Sequence, residues 1–160
     1  NFFRGVATVC TKLFHIVKPH ATIFGKKDFQ QYVIIKRMVH DLNMDIKVIG
    51  IDTTREPDGL AMSSRNVYLS PQERKSALSL NISLALAEEL YSKGERYSDR
   101  ILEKVRGMIS DNPFTKVDYA KICDAATIKD VNTIQGECVL ALAVWVGKTR
   151  LIDNTVFKQN

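Results

Sequence analysis

Two hydrophobic periods alternate along this chain, and the order of that alternation restricts its fold more than any other feature. Val6, Val9, Cys10, Leu13, Phe14 and Val17 recur at the helical spacing, and Pro19 ends that helix. Ala21-Thr22-Ile23-Phe24 reads as a short buried strand leading to Gly25. A second helix is predicted next, with Ile35, Met38, Val39 and Leu42 on its inner face, and then a strand over Asp45 to Ile51. Helix, strand, helix, strand is half of an α/β layer with parallel strands. Such strands usually have neighbours on both sides, and two make a poor sheet alone. That shortage, together with a first residue Asn1 in place of Met, leads to the expectation that further strands lie upstream.

The second half has a different rhythm. Residues 52–69 form a loop rich in Thr, Asp, Gly and Ser, of a length that is usually functional or mobile. Ser70-Pro71-Gln72-Glu73 restarts order as a capping box with Pro at the first helical position. Leu78, Ile82, Ala85, Leu86 and Leu90 are expected to line that helix inward until Gly94 stops it. Ser98 is expected to cap another helix, with Ile101, Val105, Met108 and Ile109 inward, broken at Asp111-Asn112-Pro113. The remainder reads as three strands: Lys116 to Cys123, the almost unbroken apolar run Cys138 to Val146, and Thr149 to Phe157. Gly147-Lys148 joins the last two with Gly first, the signature of a type II′ hairpin. A small antiparallel sheet packed on two helices follows from this order, with Trp145 expected in its core.

Composition excludes several function classes. At 45% hydrophobic and 26% charged residues, the chain suits a globular fold and not a disordered one. Its net charge of +5 suits anionic ligands such as nucleotides, or simply solubility. No block of Lys and Arg is interleaved with aromatics, so nucleic acid is not an expected partner. No apolar run approaches the ~20 residues of a membrane span. Cys10, Cys123 and Cys138 lack a CxxC pair and sit among apolar residues, as core side chains in a reducing compartment. His15, His20 and His40 show no metal-ligand spacing.

Two segments have the residue types of a phosphate site. In Phe24-Gly25-Lys26-Lys27-Asp28-Phe29-Gln30-Gln31 a strand ends, a glycine turns the chain and a helix begins. Free N–H groups and the dipole at a helix start favour phosphate, and Gly25 lets backbone approach a ligand. Lys27 is either a phosphate ligand or a solvated loop lysine. Asp28 is either a helix cap or a hydroxyl acceptor. Gln31 either completes a capping box with Asp28 or binds a substrate carboxylate or hydroxyl. In Asp58-Gly59-Leu60-Ala61-Met62-Ser63-Ser64-Arg65-Asn66 two hydroxyls stand beside a guanidinium fork. That set suits a polyphosphate, and it is equally the composition of a polar surface loop. Taken together the segments read as two walls of a nucleotide site, with Arg55 and Asp58 expected to pair across the loop.

With both segments in view, the chain resembles the pantothenate synthetase family. The resemblance runs in order through Phe3-Arg4-Gly5-Val6, Phe24 to Gln31, Asp58 to Asn66 with Tyr68-Leu69, and Arg150-Leu151-Ile152-Asp153-Asn154. It implies a fold class of α/β, a partial nucleotidyltransferase Rossmann-like layer over 1–54. A small α+β lid domain with two helices and a three-stranded antiparallel sheet would follow over 55–160. It implies ATP-dependent condensation of pantoate with β-alanine through a pantoyl adenylate, in the cytoplasm, by a homodimer. The ATP-binding residues implied are Gly25, Lys26, Lys27, Asp28, Thr54, Met62, Ser63, Ser64 and Arg65. Lys27, Ser63, Ser64 and Arg65 would be catalytic, and Gln31 would bind pantoate. Met62 to Arg65 match the family's counterpart of the KMSKS loop, and Thr54 falls where backbone groups approach adenine.

The sequence also departs from that pattern. Lys26 stands where the family usually has Glu, Phe2 where His is common, Asp52 where Pro is usual and Thr54 where Val is usual. The family's HIGH-type motif, a second pantoate-binding Gln and the acidic Mg²⁺ site belong to its N-terminal half and have no match here. The expectation is a chain that is inactive alone. A non-catalytic nucleotide-binding or regulatory module on the same scaffold is the alternative.

Overall fold

The structure, a computed structural model, describes residues 2–158. These residues divide into two compact units, one ending at Thr53 and the other starting at Thr54.

In the first unit, helix α1 (Phe2–Val17) leads through β1 (Ala21–Gly25) and a 3₁₀ turn (Lys26–Asp28) into α2 (Phe29–Asp41) and β2 (Lys47–Ile51). The two strands pair in parallel, from Ala21 opposite Lys47 to Gly25 opposite Ile51. Lys18 closes α1 in the left-handed region at φ 51°, and Pro19 next to it cannot continue a helix. Phe14, Ile35 and Val39 form the buried centre, with Val6, Cys10, Phe24, Met38, Met44, Ile46 and Val48 packed against it.

The burial is one-sided. Successive side chains of a strand point to opposite faces. Phe24 and Val48 join the core, whereas Ile23, Ile49 and Ile51 are exposed. The first strand is therefore half-covered, not buried as its apolar sequence suggests. On α1, the expected inner residues Val9, Leu13 and Val17 are exposed, as is Leu42 at the end of α2. The apolar stripe of α1 is wider than the face the core covers.

In the second unit, α3 (Pro71–Ser92) and α4 (Ser98–Ser110) pack on a sheet of β3 (Thr115–Asp124), β4 (Cys138–Val146) and β5 (Thr149–Phe157). The order is β3-β4-β5, antiparallel throughout, so the most apolar strand lies in the middle. Cys138, Leu140, Leu142, Val144 and Val146 face the helices and are fully buried. The fold class expected from the sequence is the one observed: part of an α/β layer followed by an α+β unit with a three-stranded antiparallel sheet.

Local chemistry places the turns. The Ser70 hydroxyl accepts from the Glu73 N–H, and the Glu73 carboxylate accepts from the Ser70 N–H at 2.8 Å. Gly147 takes φ 56° at the hairpin, the sign that its turn position requires. A Cβ at Gly147 would collide with the carboxylate of Glu73, so the hairpin is seated on the helix cap. The Cys123 thiol is pushed up to about 11 by burial, with the Asp130 hydrogen bond adding to the shift, and this makes it a poor nucleophile.

Three further expectations change in the second unit. The buried face of α3 consists of Ala77, Leu80, Leu84 and Ala87 with Ser76, Ser79 and Ser83, while Ile82 and Ala85 are exposed. This helix is apolar on two sides, so period alone leaves its rotation open. The small serines fit the side that packs closely between α4 and the sheet. Ser98 does not cap α4; Tyr97 holds that position, and the Ser98 N–H bonds to the Asn132 carbonyl at 2.9 Å. Trp145 lies on the sheet face opposite the helices and is 39% exposed. Its neighbours Val144 and Val146 take the core positions because a strand alternates its faces. Among the described residues no helix is long and apolar enough to cross a membrane.

Candidate functional site

The candidate residues fall in two groups, one in each unit. In the first unit, Gly25 ends β1 in extended conformation, at φ −72° and ψ 129°. Its backbone does not demand glycine, and a Cβ there would meet nothing within 4 Å. The open space around it lies at the C-terminal end of parallel strands, where α/β sheets bind ligands.

Lys26, Lys27 and Asp28 make the single 3₁₀ turn that carries the chain into α2. Lys26 Nζ sits 2.9 Å from Asp52 Oδ1, just beyond the end of β2. Two of the four departures from the pattern of the resemblance, Lys26 and Asp52, are thus partners of each other. The Lys26 stem and the Tyr32 ring lie over Gly50, where a Cβ would come within 3.0 Å of the lysine and 2.9 Å of the ring. A side chain at Gly50 would push these two side-chain ends aside.

Asp28 precedes α2 but makes no side-chain capping bond, so the capping box with Gln31 does not form. The 3₁₀ turn already continues the chain into the helix at a conformation the box does not fit, with Asp28 at φ −91° and ψ 61°. Gln31 is half-buried one turn into α2, while Asp28 is exposed. Gly25 to Asp28 and Gln31 therefore stand together at one end of the strand pair.

In the second unit, residues 54–62 are folded back as a tight hairpin. The Met62 N–H donates to the Thr54 carbonyl at 2.9 Å, and the Glu56 N–H to the Leu60 carbonyl at 2.8 Å. Arg55 and Ala61 are bridged between these bonds. Pro57-Asp58-Gly59 supplies the reversal, with Gly59 at φ 93°. Leu60 and Ala61 are buried beneath it, so Met62 emerges exposed from an anchored base.

Ser63, Ser64 and Arg65 follow directly. The Arg65 N–H donates to the Ser63 hydroxyl at 3.2 Å, which caps the short 3₁₀ turn Ser64–Tyr68. Arg65 Nη1 donates to the Arg150 carbonyl at the start of β5, at 3.1 Å. Ser64 and Arg65 are exposed and Ser63 is half-buried.

The expected pair of Arg55 with Asp58 is not formed. Arg55 instead forks onto Asp153 of β5, with Nη1 to Oδ2 at 2.7 Å and Nη2 to Oδ1 at 3.0 Å. Asp58 pairs with Arg74 of α3, which also holds Glu56 at 2.5 Å. Asn66 donates to Glu56 at 2.6 Å and to the Ala61 carbonyl at 3.1 Å. Arg55, Asn66, Arg74 and Asp153 belong to this site, and sequence reasoning assigned none of them a functional role. Asp153, an acid beside the apolar pair Leu151-Ile152 in a strand, was the available signal.

The Glu56 carboxyl is held below the usual glutamate range, first by the Asn66 hydrogen bond and then by Arg74. A depressed pKa means that this network stabilises the fold above the unfolded value of about 4.3 and is lost as pH falls through the folded one. Asn66→Ala and Arg74→Met should each raise the Glu56 pKa. An NMR titration of Glu56 checks this; an unchanged pKa in either variant would contradict the assignment of causes.

Among the described residues no three His, Cys, Asp or Glu side chains gather where they would hold a metal ion. The Mg²⁺ implied by the resemblance has no ligand set in them.

The family profile described as Pantoate-beta-alanine ligase matches residues 1–156. The chain belongs to the pantoate–β-alanine ligase family. Pantothenate synthetase of Syntrophus aciditrophicus (strain SB) is 64% identical over 155 residues, which cover 97% of this chain and 54% of that protein. The crystal structure of pantothenate synthetase from Thermus thermophilus superposes at a TM-score of 0.88 with 38% identity. It covers 94% of this chain and 54% of its own. A pantoate-beta-alanine ligase from Francisella tularensis, solved complexed with beta-gamma ATP and beta-alanine, matches at a TM-score of 0.63 and 28% identity. That match covers 95% of this chain and 49% of its own. The chain thus spans about half the length of the relatives it matches.

Proposed function

We propose that this chain serves the ATP-dependent condensation of pantoate with β-alanine, as the C-terminal part of a polypeptide of its relatives' length. The observation that carries the reading is the family match, which runs across both candidate segments. In the first step a pantoate carboxylate oxygen attacks the α-phosphorus of ATP, and the bond to pyrophosphate breaks. In the second, the β-alanine amine attacks the acyl carbonyl of the pantoyl adenylate, loses a proton and expels AMP.

The residues present have the chemistry for the first step. Negative charge builds on the phosphates as pyrophosphate leaves, and fixed cations and N–H groups stabilise it. Lys27 supplies an ammonium at the turn into α2 and Arg65 a planar guanidinium. Ser63 accepts from the Arg65 N–H and keeps its own O–H to donate to a phosphate oxygen, with Ser64 beside it. Gly25 leaves space for the nucleotide to lie against backbone, and Lys26 adds a further cation there. Asp28 accepts from a ribose hydroxyl, and Gln31 hydrogen-bonds pantoate. Thr54 and Met62, tied to each other by their backbones, present the adenine contact. The remaining acceleration is positional, since holding two reactants in line removes an entropic barrier.

The same reading makes the protein a cytoplasmic homodimer. The test is pantothenate formation from pantoate, β-alanine and ATP. A polypeptide of the relatives' length should turn over, and the 160-residue chain alone should not. Normal turnover by the chain alone would overturn the view that it is one part of the catalytic unit. No product from the longer polypeptide would overturn the ligase reading.

A further inference from the structure

The ion pair of Arg55 with Asp153 takes no part in the reaction as proposed, yet it is the most buried charged contact among the described ion pairs. The Asp153 side chain is 2% exposed and that of Arg55 29%. A carboxylate buried to that degree costs much unless it is fully bonded. Here it is: Oδ2 accepts from Arg55 Nη1, and Oδ1 accepts from Arg55 Nη2 and from the Asn154 N–H at 2.9 Å. Arg55 Nη1 also donates to the Gly59 carbonyl at 3.1 Å. A buried pair of this kind is weak evidence for stability, because apolar residues of similar volume often serve as well. What a planar fork adds is fixed orientation.

The element that it orients is the serine–arginine segment. Arg55 is bridged to Ala61, one residue before Met62, so Asp153 fixes the near side of Ser63-Ser64-Arg65. Asn66 fixes the far side through Glu56 and the Ala61 carbonyl. Strand β5 holds both ends of the arrangement, since Arg150, three residues before Asp153, receives Arg65 on its carbonyl.

We propose that Arg55 and Asp153 are positioning residues that hold Ser63, Ser64 and Arg65 at the place where they act on an anionic ligand, without touching that ligand themselves. The catalytic consequence rests on the ligase reading above; the effect on the segment's order does not.

Asp153→Asn keeps the shape and removes the charge; Arg55→Lys keeps the charge and removes the fork. In the polypeptide of the relatives' length, each should lower kcat by about tenfold or more while KM for ATP moves by less than about threefold. In a background with Ser63→Ala, Ser64→Ala and Arg65→Ala together, the same substitutions should cost less than about twofold, because what they position is already gone. A residue that merely supports folding would cost the same factor in both backgrounds. Independently of activity, amide exchange at Met62 and Asn66 should accelerate about tenfold in either variant, with Ile101 in α4 unchanged. Equal losses in both backgrounds, or unchanged exchange at Met62 and Asn66, would overturn the proposal. A wild-type protein that makes no pantothenate overturns the ligase reading instead, and the exchange result then decides whether Arg55 and Asp153 hold the segment. If Asp153→Asn fails to fold, Arg55→Lys carries the same comparison.

Discussion

Lys27→Ala, in the polypeptide of the relatives' length, is expected to slow pyrophosphate release by about 100- to 1000-fold. Removing one preorganised donor to developing charge typically costs that much, or roughly 3–4 kcal/mol of transition-state stabilisation. Lys27 sits in the 3₁₀ turn between the end of β1 and the start of α2, where backbone N–H groups already favour an anion. Its ammonium adds a full charge to those partial ones. The residue is only half-buried, so its loss should leave thermal unfolding nearly unchanged. Lys27→Arg should restore part of the rate, because charge returns while shape differs. Stopped-flow measurement of pyrophosphate release separates these outcomes. A wild-type rate in Lys27→Ala would remove this residue from the mechanism.

The largest effect on stability is expected in the middle of the second sheet. Leu140 is 0% exposed, on the central strand β4, between Ile122 of β3 and Thr155 of β5. Leu140→Ala deletes buried methyl groups and leaves a cavity that two flanking strands cannot close. The expected loss is about 2–5 kcal/mol, against a whole-domain stability of roughly 5–15 kcal/mol. Leu140→Met keeps most of the volume and should cost less than about 1.5 kcal/mol. Denaturant unfolding read by far-UV circular dichroism gives both values. A loss below about 1 kcal/mol for alanine would mean that the strand is not packed as described.

Element types were legible wherever one chemical signal dominated. The capping box at Ser70 and Glu73 forms as read, because its two residues meet within a single helical turn. The hairpin at Gly147 follows from a two-residue turn that favours glycine. Rotation about an element was less legible. On α3 both sides are apolar, and the serines that mark the buried side look polar in sequence. On β4 an almost continuous apolar run conceals which residues face the helices, and Trp145, expected in the core, lies on the other face.

The candidate site divides in the same way. The segments themselves stand out through glycine, cations and hydroxyls set between apolar elements. The supporting residues do not. Arg55 meets a partner 98 positions away, which no local pattern signals, while Asp58 lies close enough in sequence to look like its partner. Lys26 and Asp52 each look like an isolated departure until β1 and β2 lie side by side.

The central claim is that ATP is split at the α-phosphorus by a pantoate carboxylate. The direct measurement is the nucleotide and phosphate products released during turnover, together with pantoate-dependent exchange of labelled pyrophosphate into ATP when β-alanine is left out. AMP and pyrophosphate, with exchange only when pantoate is present, are the predicted result. ADP with inorganic phosphate, or exchange that proceeds without pantoate, would contradict it.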